Sequence, residues 1–299
     1  MKNLNNRFRA IIAVVMMFIA TLPSLAHDFE VDGIYYNITD ETAKTVAVTY
    51  KGSDHYSYSN EYTGSITIPS SVTYRGTSYS VTEIGGFAFS SCSGLTSIAI
   101  PNSVTEIGFG VFSGCSGLTS IAIPNSVTEI EDGAFKSCSG LTSIAIPNSV
   151  TEIGDWAFDG CSGLTTITIP NSVTKIGESA FTDCSGLTSI TIPNSVTMIE
   201  ERAFSGCSGL TSIAIPNSVT KIGSWAFAYC TGLTAITIPN SVTEICENSF
   251  EDCTSLTSLS IPNSTTVIES ICVEPIPEPI FVPNPKPIQV EEKVGEMKR

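Results

Sequence analysis

Apolar and small polar residues recur with a period of 23 from Ser80 to Asn263, without an insertion. The units start at Ser80, Ser103, Ser126, Ser149, Ser172, Ser195, Ser218 and Ser241; a ninth begins at Ser264 and dissolves after Cys272. One unit, Ser172 to Asn194, reads SVTKIGESAFTDCSGLTSITIPN. Leu187, Ile190 and Ile192 are separated by Thr188, Ser189 and Thr191. This pattern predicts a short strand with Ile190 and Ile192 inward and Thr191 outward, since strand side chains alternate between faces. Pro193 ends it, having no N–H to give a ladder. Val173 and Ile176 predict a second extended piece, and Gly177 a turn. Ala180, Phe181 and Cys184 carry helical spacing and predict one or two helical turns facing the core. Gly186 then releases the chain into the next strand.

One such unit cannot bury its own apolar face, but stacked units can. Aligned strands would form a parallel sheet with about 4.8 Å between neighbours, so eight units give a sheet roughly 40 Å long. The motif L-x-x-I-x-I-P, followed by S-V-x-x-I-G, A-F and C at a 23-residue period, resembles the BspA-like (Treponema pallidum-type) bacterial leucine-rich repeats. The resemblance implies a leucine-rich repeat solenoid, in a protein secreted or displayed on a cell surface. It further implies adhesion to host extracellular proteins or to the surface proteins of other bacterial cells.

The flanks differ in composition. Residues 1–26 have the form of a cleavable signal peptide: Lys2, Arg7 and Arg9, an apolar run from Ala10 to Leu22, then Ser24-Leu25-Ala26. That run is shorter than the roughly 20 residues that span a bilayer, so the mature chain is expected to have no membrane span. Residues 27–79 are Tyr-rich, with extended patches at 33–38, 45–50 and 62–69, and read as β-hairpins capping the first repeat. The rival reading of that segment is a separate small domain. Residues 80–272 are the solenoid: eight full repeats over 80–263, then the partial ninth. Residues 273–299 form a tail that holds six of the sixteen prolines and is expected to be an extended spacer.

Charge narrows the partners. The formal charge is −15, and removal of residues 1–26 leaves 11 basic against 29 acidic residues. Nucleic acid is excluded as a partner, because binding it rests on Lys and Arg neutralising phosphates. The only histidines, His27 and His55, precede the repeats, so no Ser/His/Asp or Cys/His arrangement can be assembled inside the solenoid. The glycines follow the repeat and not a phosphate-loop spacing. The expectation is a monomeric, non-catalytic protein with no cofactor and no metal.

Eight of the ten cysteines (Cys92, Cys115, Cys138, Cys161, Cys184, Cys207, Cys230 and Cys253) share one position and predict a column of buried thiols. Cys246 and Cys272 break the pattern near the end of the stack and are candidates for a disulfide pinning the last coil. Glu83, Glu106, Glu129 and Glu152 align as an outward carboxylate ladder, closed by Lys175. It is read as a solvated edge, with divalent-cation bridging the alternative.

Comparison between repeats separates packing from other demands. The outward strand positions are uniformly small, as at Ala99, Ala122, Ala145, Thr168, Thr191, Ala214, Thr237 and Ser260. Diversity sits in the turns after S-V-x-x-I and around A-F-x-x-C. Trp156, Trp225, Phe87 and Phe109 occur there and are the candidate ligand-binding anchors, the alternative being that they fold down onto the core. Two functions from different classes follow: a binding or adhesion protein, and a structural spacer of the cell envelope with no specific ligand.

Overall fold

A computed structural model of the protein describes residues 27–52 and 61–261, together with the backbone of 266–267. The signal-peptide segment, Cys272 and the proline-rich tail lie outside the described residues. Strand β1 (Phe29–Val31) pairs antiparallel with β2 (Ile34–Asp40), and β2 with β3 (Thr45–Thr49). Strand β4 (Gly64–Thr67) stands apart, whereas β5 (Ser71–Tyr74) forms an antiparallel hairpin with β6 (Thr77–Ile84). The pairing of β3 with β6 is parallel, so the antiparallel start hands over to a parallel stack within β6. Strand β7 (Leu95–Ala99) pairs parallel with β4.

From there the chain winds in 23-residue coils, and each residue meets its counterpart one repeat away. Ser143, Ile144 and Ala145 pair with Thr166, Ile167 and Thr168, which pair with Ser189, Ile190 and Thr191. A second row runs through two-residue strands, with Glu129–Ile130 against Glu152–Ile153 and then Lys175–Ile176. In both rows the isoleucines are buried and the alternate positions face out, as the alternation of strand side chains requires.

The third side of each coil departs from the expected helical turns. No helix occurs among the described residues; the A-F-x-x-C segment is a run of hydrogen-bonded turns. Alternate N–H groups explain why. Those of Ala180, Thr182 and Cys184 reach back three residues within the coil, to Gly177, Ser179 and Phe181. Those of Ser179, Phe181 and Asp183 reach the next coil, to Glu201, Ala203 and Ser205. An α-helix needs every donor for its own carbonyl four residues earlier, and half of them here serve the neighbour. Ser179 and Asp183 also have positive φ, 56° and 55°, which a right-handed helix excludes.

The core inside this winding is itself a set of ladders. Phe89, Phe112, Phe135, Phe158, Phe181, Phe204, Phe227 and Phe250 stack with ring centroids 5.3–5.6 Å apart. The expected cysteine column is buried beside them. From Cys115 to Cys253 each thiol donates to the carbonyl oxygen of the phenylalanine 26 residues earlier, at 3.0–3.2 Å. That carbonyl already accepts an N–H from its own coil, as Phe158 does from Cys161. The thiol therefore supplies its second partner, beyond the role of a small apolar filler.

Gly177 also has a different reason from the expected turn. Its φ lies outside the left-handed region, but a Cβ would sit 2.5 Å from Asp155 Oδ1 and 2.6 Å from the Gly154 carbonyl carbon. The glycine makes room for the previous coil, and the Asp155 carboxylate it admits accepts the Glu178 N–H at 2.8 Å.

Candidate functional site

The turn side carries two columns of left-handed residues. One is Phe87, Gly110, Gly133, Trp156, Ser179, Arg202, Trp225 and Asn248; the other lies four residues on, from Ser91 to Asp252. Positive φ in L-residues favours glycine and disfavours bulky side chains. Gly110 and Gly133 meet that preference, with φ of 57° and 61°. Phe87, Trp156 and Trp225 adopt nearly the same angles, 58°, 54° and 61°, with large rings attached. They recur every 69 residues, or three coils, which places them roughly 14 Å apart at ~4.8 Å per coil.

The sequence candidates fall into two pairs. Phe109 is 46% exposed and Trp156 39% exposed, whereas Phe87 and Trp225 are half-buried. None joins the phenylalanine ladder. Phe87 and Phe109 contact one another edge to face at 4.9 Å, and the Phe87 ring lies over Gly110, where a Cβ would come within 2.6 Å of it.

Around Trp225 the structure assembles a group that the sequence reading did not single out. Tyr229, 43% exposed, stacks beside Trp225 at 6.2 Å between centroids. The Arg202 guanidinium, from the preceding coil, sits 5.7 Å from the Trp225 ring centroid and pairs with Glu201. A signal existed: Arg202 occupies the Trp225 position one repeat earlier, and Tyr229 replaces the Gly, Ser or Asp found in the other left-handed column. Tryptophan, tyrosine and arginine are the residues that concentrate energy in protein interfaces.

The sheet face offers less. A recess of about 490 Å³ lies over Ala214, Asn217, Ala235, Thr237 and Asn240, where the row narrows to the single bridges Thr191–Ala214 and Ser212–Ala235. Its rim has no aromatic or charged side chain. Thr142, Thr165, Thr188, Thr234 and Thr257 direct their hydroxyls to the threonine carbonyl one coil back, which spends their polar groups inside the protein.

The carboxylate ladder behaves as an edge. Glu83 stands beside Glu106, and Glu129 beside Glu152, which in turn meets Lys175. Burial, then the Glu106 charge, raises the Glu83 pKa. Further on, Lys221 binds Glu244 at 2.8 Å and holds its carboxyl below the usual range. Among the described residues no group of His, Cys, Asp and Glu side chains is placed to hold a metal ion. Cys246 is half-buried; its proposed partner Cys272 lies outside the described residues. No described helix is long and apolar enough to cross a membrane.

This winding, with in-register 23-residue coils and a parallel sheet, defines a leucine-rich repeat solenoid. The chain belongs to the family described as the BspA type leucine rich repeat region, whose pattern matches residues 53–188 and 176–276. It is similar to a leucine-rich repeat protein from Bacteroides ovatus at 36% identity, over 82% of this chain and 68% of that one, with a TM-score of 0.68. It is also similar to the leucine rich repeat protein of T. pallidum, at 29% identity over 69% of this chain and 90% of that one, with a TM-score of 0.57. No curated protein matches the chain at a significant level. Leucine-rich repeat proteins of this kind are generally non-catalytic scaffolds that bind other proteins.

Proposed function

We propose that the protein is exported to the cell surface or beyond, and that it mediates adhesion to host extracellular proteins or to proteins on neighbouring cells. Binding centres on the turn face, with Arg202, Trp225 and Tyr229 at its middle and Trp156 three coils away. One observation carries the reading. Phe87, Trp156 and Trp225 occupy left-handed positions that glycine fills in sister coils, at a cost of about 1 kcal/mol each. Folding asks for no aromatic there, because Gly110 and Gly133 close the same turn. Ser179, Arg202 and Asn248 also hold this left-handed position, so the turn itself selects no ring, and the aromatic surface presented there is what ligand contact would use.

The test is solid-phase titration of residues 27–299 on a panel of purified extracellular-matrix proteins. Saturable binding to at least one supports adhesion. The second reading, a spacer, draws on the uniform small residues of the sheet face and predicts no saturable binding to any of them.

A further inference from the structure

At the N-terminal end of the stack, β4 has an edge that no described strand pairs. Gly64 and Ile68 donate their N–H groups to Gly94 and Ala99 in the following coil. The intervening residues of β4, Ser65 and Thr67, therefore turn their backbone groups the other way. Among the described residues no strand pairs with that edge, and both residues are exposed. Beyond it a recess of about 240 Å³ separates β4 from the tip of the β1–β2 hairpin, walled by Val31, Ile34, Ile66 and Pro69. Tyr36 lines the same recess, fully buried, and its hydroxyl has no hydrogen-bond partner. An exposed edge beside an apolar wall describes a slot for one added strand.

The tail has the matching chemistry. Its prolines are Pro275, Pro277, Pro279, Pro283, Pro285 and Pro287, all at odd positions. In an extended chain alternate residues point their N–H and C=O groups to the same edge. One edge of this segment therefore lacks donors at every proline, while Ile276, Glu278 and Ile280 keep theirs on the other. Such a strand can pair on one side and ends the sheet on the other.

We propose that residues 275–280 of one copy add as a strand to the β4 edge of a second copy, joining the solenoids head to tail. A copy cannot serve itself with this segment. Pro275 is eight residues past Val267, about 26 Å at full extension, whereas β4 lies some eight coils back, about 40 Å. The tail is nearly neutral: residues 273–299 hold five acidic and four basic residues, against 16 and 4 in residues 80–262 and seven and three in residues 27–79. Side-by-side packing would oppose like charges. This contact replaces the monomer expected from sequence and is independent of what the turn face binds.

Sedimentation of residues 27–299 across a concentration series tests it. The weight-average mass should at least double with concentration, and excess peptide 273–290 should return it to the monomer value. Ile276→Pro with Ile280→Pro removes two of the three pairing donors without touching the folded coils and should leave a monomer. Pro275→Ala with Pro277→Ala keeps those donors and should still associate. Thr67→Pro should also be monomeric with an unchanged circular dichroism spectrum. A native chain that stays monomeric at all concentrations overturns the proposal, as does association unaffected by the Ile→Pro pair.

Discussion

A left-handed tryptophan is the least economical residue in this protein. Glycine at the same place relaxes the backbone, and the Trp156 ring, 39% exposed, lies outside the phenylalanine ladder. Trp156→Gly should therefore leave thermal stability unchanged or raise it by up to about 1 kcal/mol, measured by denaturant unfolding. A loss of more than 2 kcal/mol would mean that the ring holds the fold together. The thiols make the opposite case. Burial pushes Cys161, Cys207 and Cys253 up to about 12, and thiolate is the reactive form. The column should resist a thiol reagent at pH 8 until the protein unfolds. The buried cysteine column is legible in the sequence, because the eight thiols share one repeat position. Whether the turn aromatics face solvent or the core is not legible there, and neither is the thiol hydrogen bond, because its acceptor, a phenylalanine carbonyl, lies 26 residues away and becomes a neighbour only once the coils stack.

Strands and turns show where local pattern is enough and where it is not. The strand LTSITI was readable because alternation is a property of the segment itself. The supposed helical turn was not, because A-F-x-x-C has the right spacing for a helix while its donors are committed to the next coil. Gly177 illustrates the same limit: a turn residue by sequence, it is a clearance residue in the stack. The phenylalanine ladder is the element that ties coils together, each ring meeting one above and one below. Phe181→Ala should cost about 3–5 kcal/mol, with the effect felt in both adjoining coils because a solenoid is held by nearest-neighbour contacts. Hydrogen exchange should show loss of protection at Phe158 and Phe204 along with position 181; protection lost at 181 alone would contradict the coupling.

Across the whole molecule, acidity is an edge property. Burial and Glu106 raise the pKa of Glu83, so the folded state disfavours its ionisation. The stability this group contributes is present below its unfolded pKa and is lost as pH rises through the folded value. Glu83→Gln should accordingly raise Tm at pH 7 and give no gain at pH 3, as calorimetry at both values would record. The repeated frame was legible in the sequence almost in full, since every coil repeats the same packing problem. The Arg202–Trp225–Tyr229 group was not, because its members come from two coils and two columns.

The proposed recognition surface is the turn face, where the coils differ, and not the uniform sheet. The direct measurement is a binding isotherm on an extracellular-matrix protein that captures residues 27–299, comparing two folded variants. Trp225→Gly with Tyr229→Ala should weaken binding at least tenfold, about 1.4 kcal/mol, whereas Thr168→Arg with Thr191→Arg on the sheet should change it less than twofold. The reverse ranking, or equal loss from both, would contradict the claim.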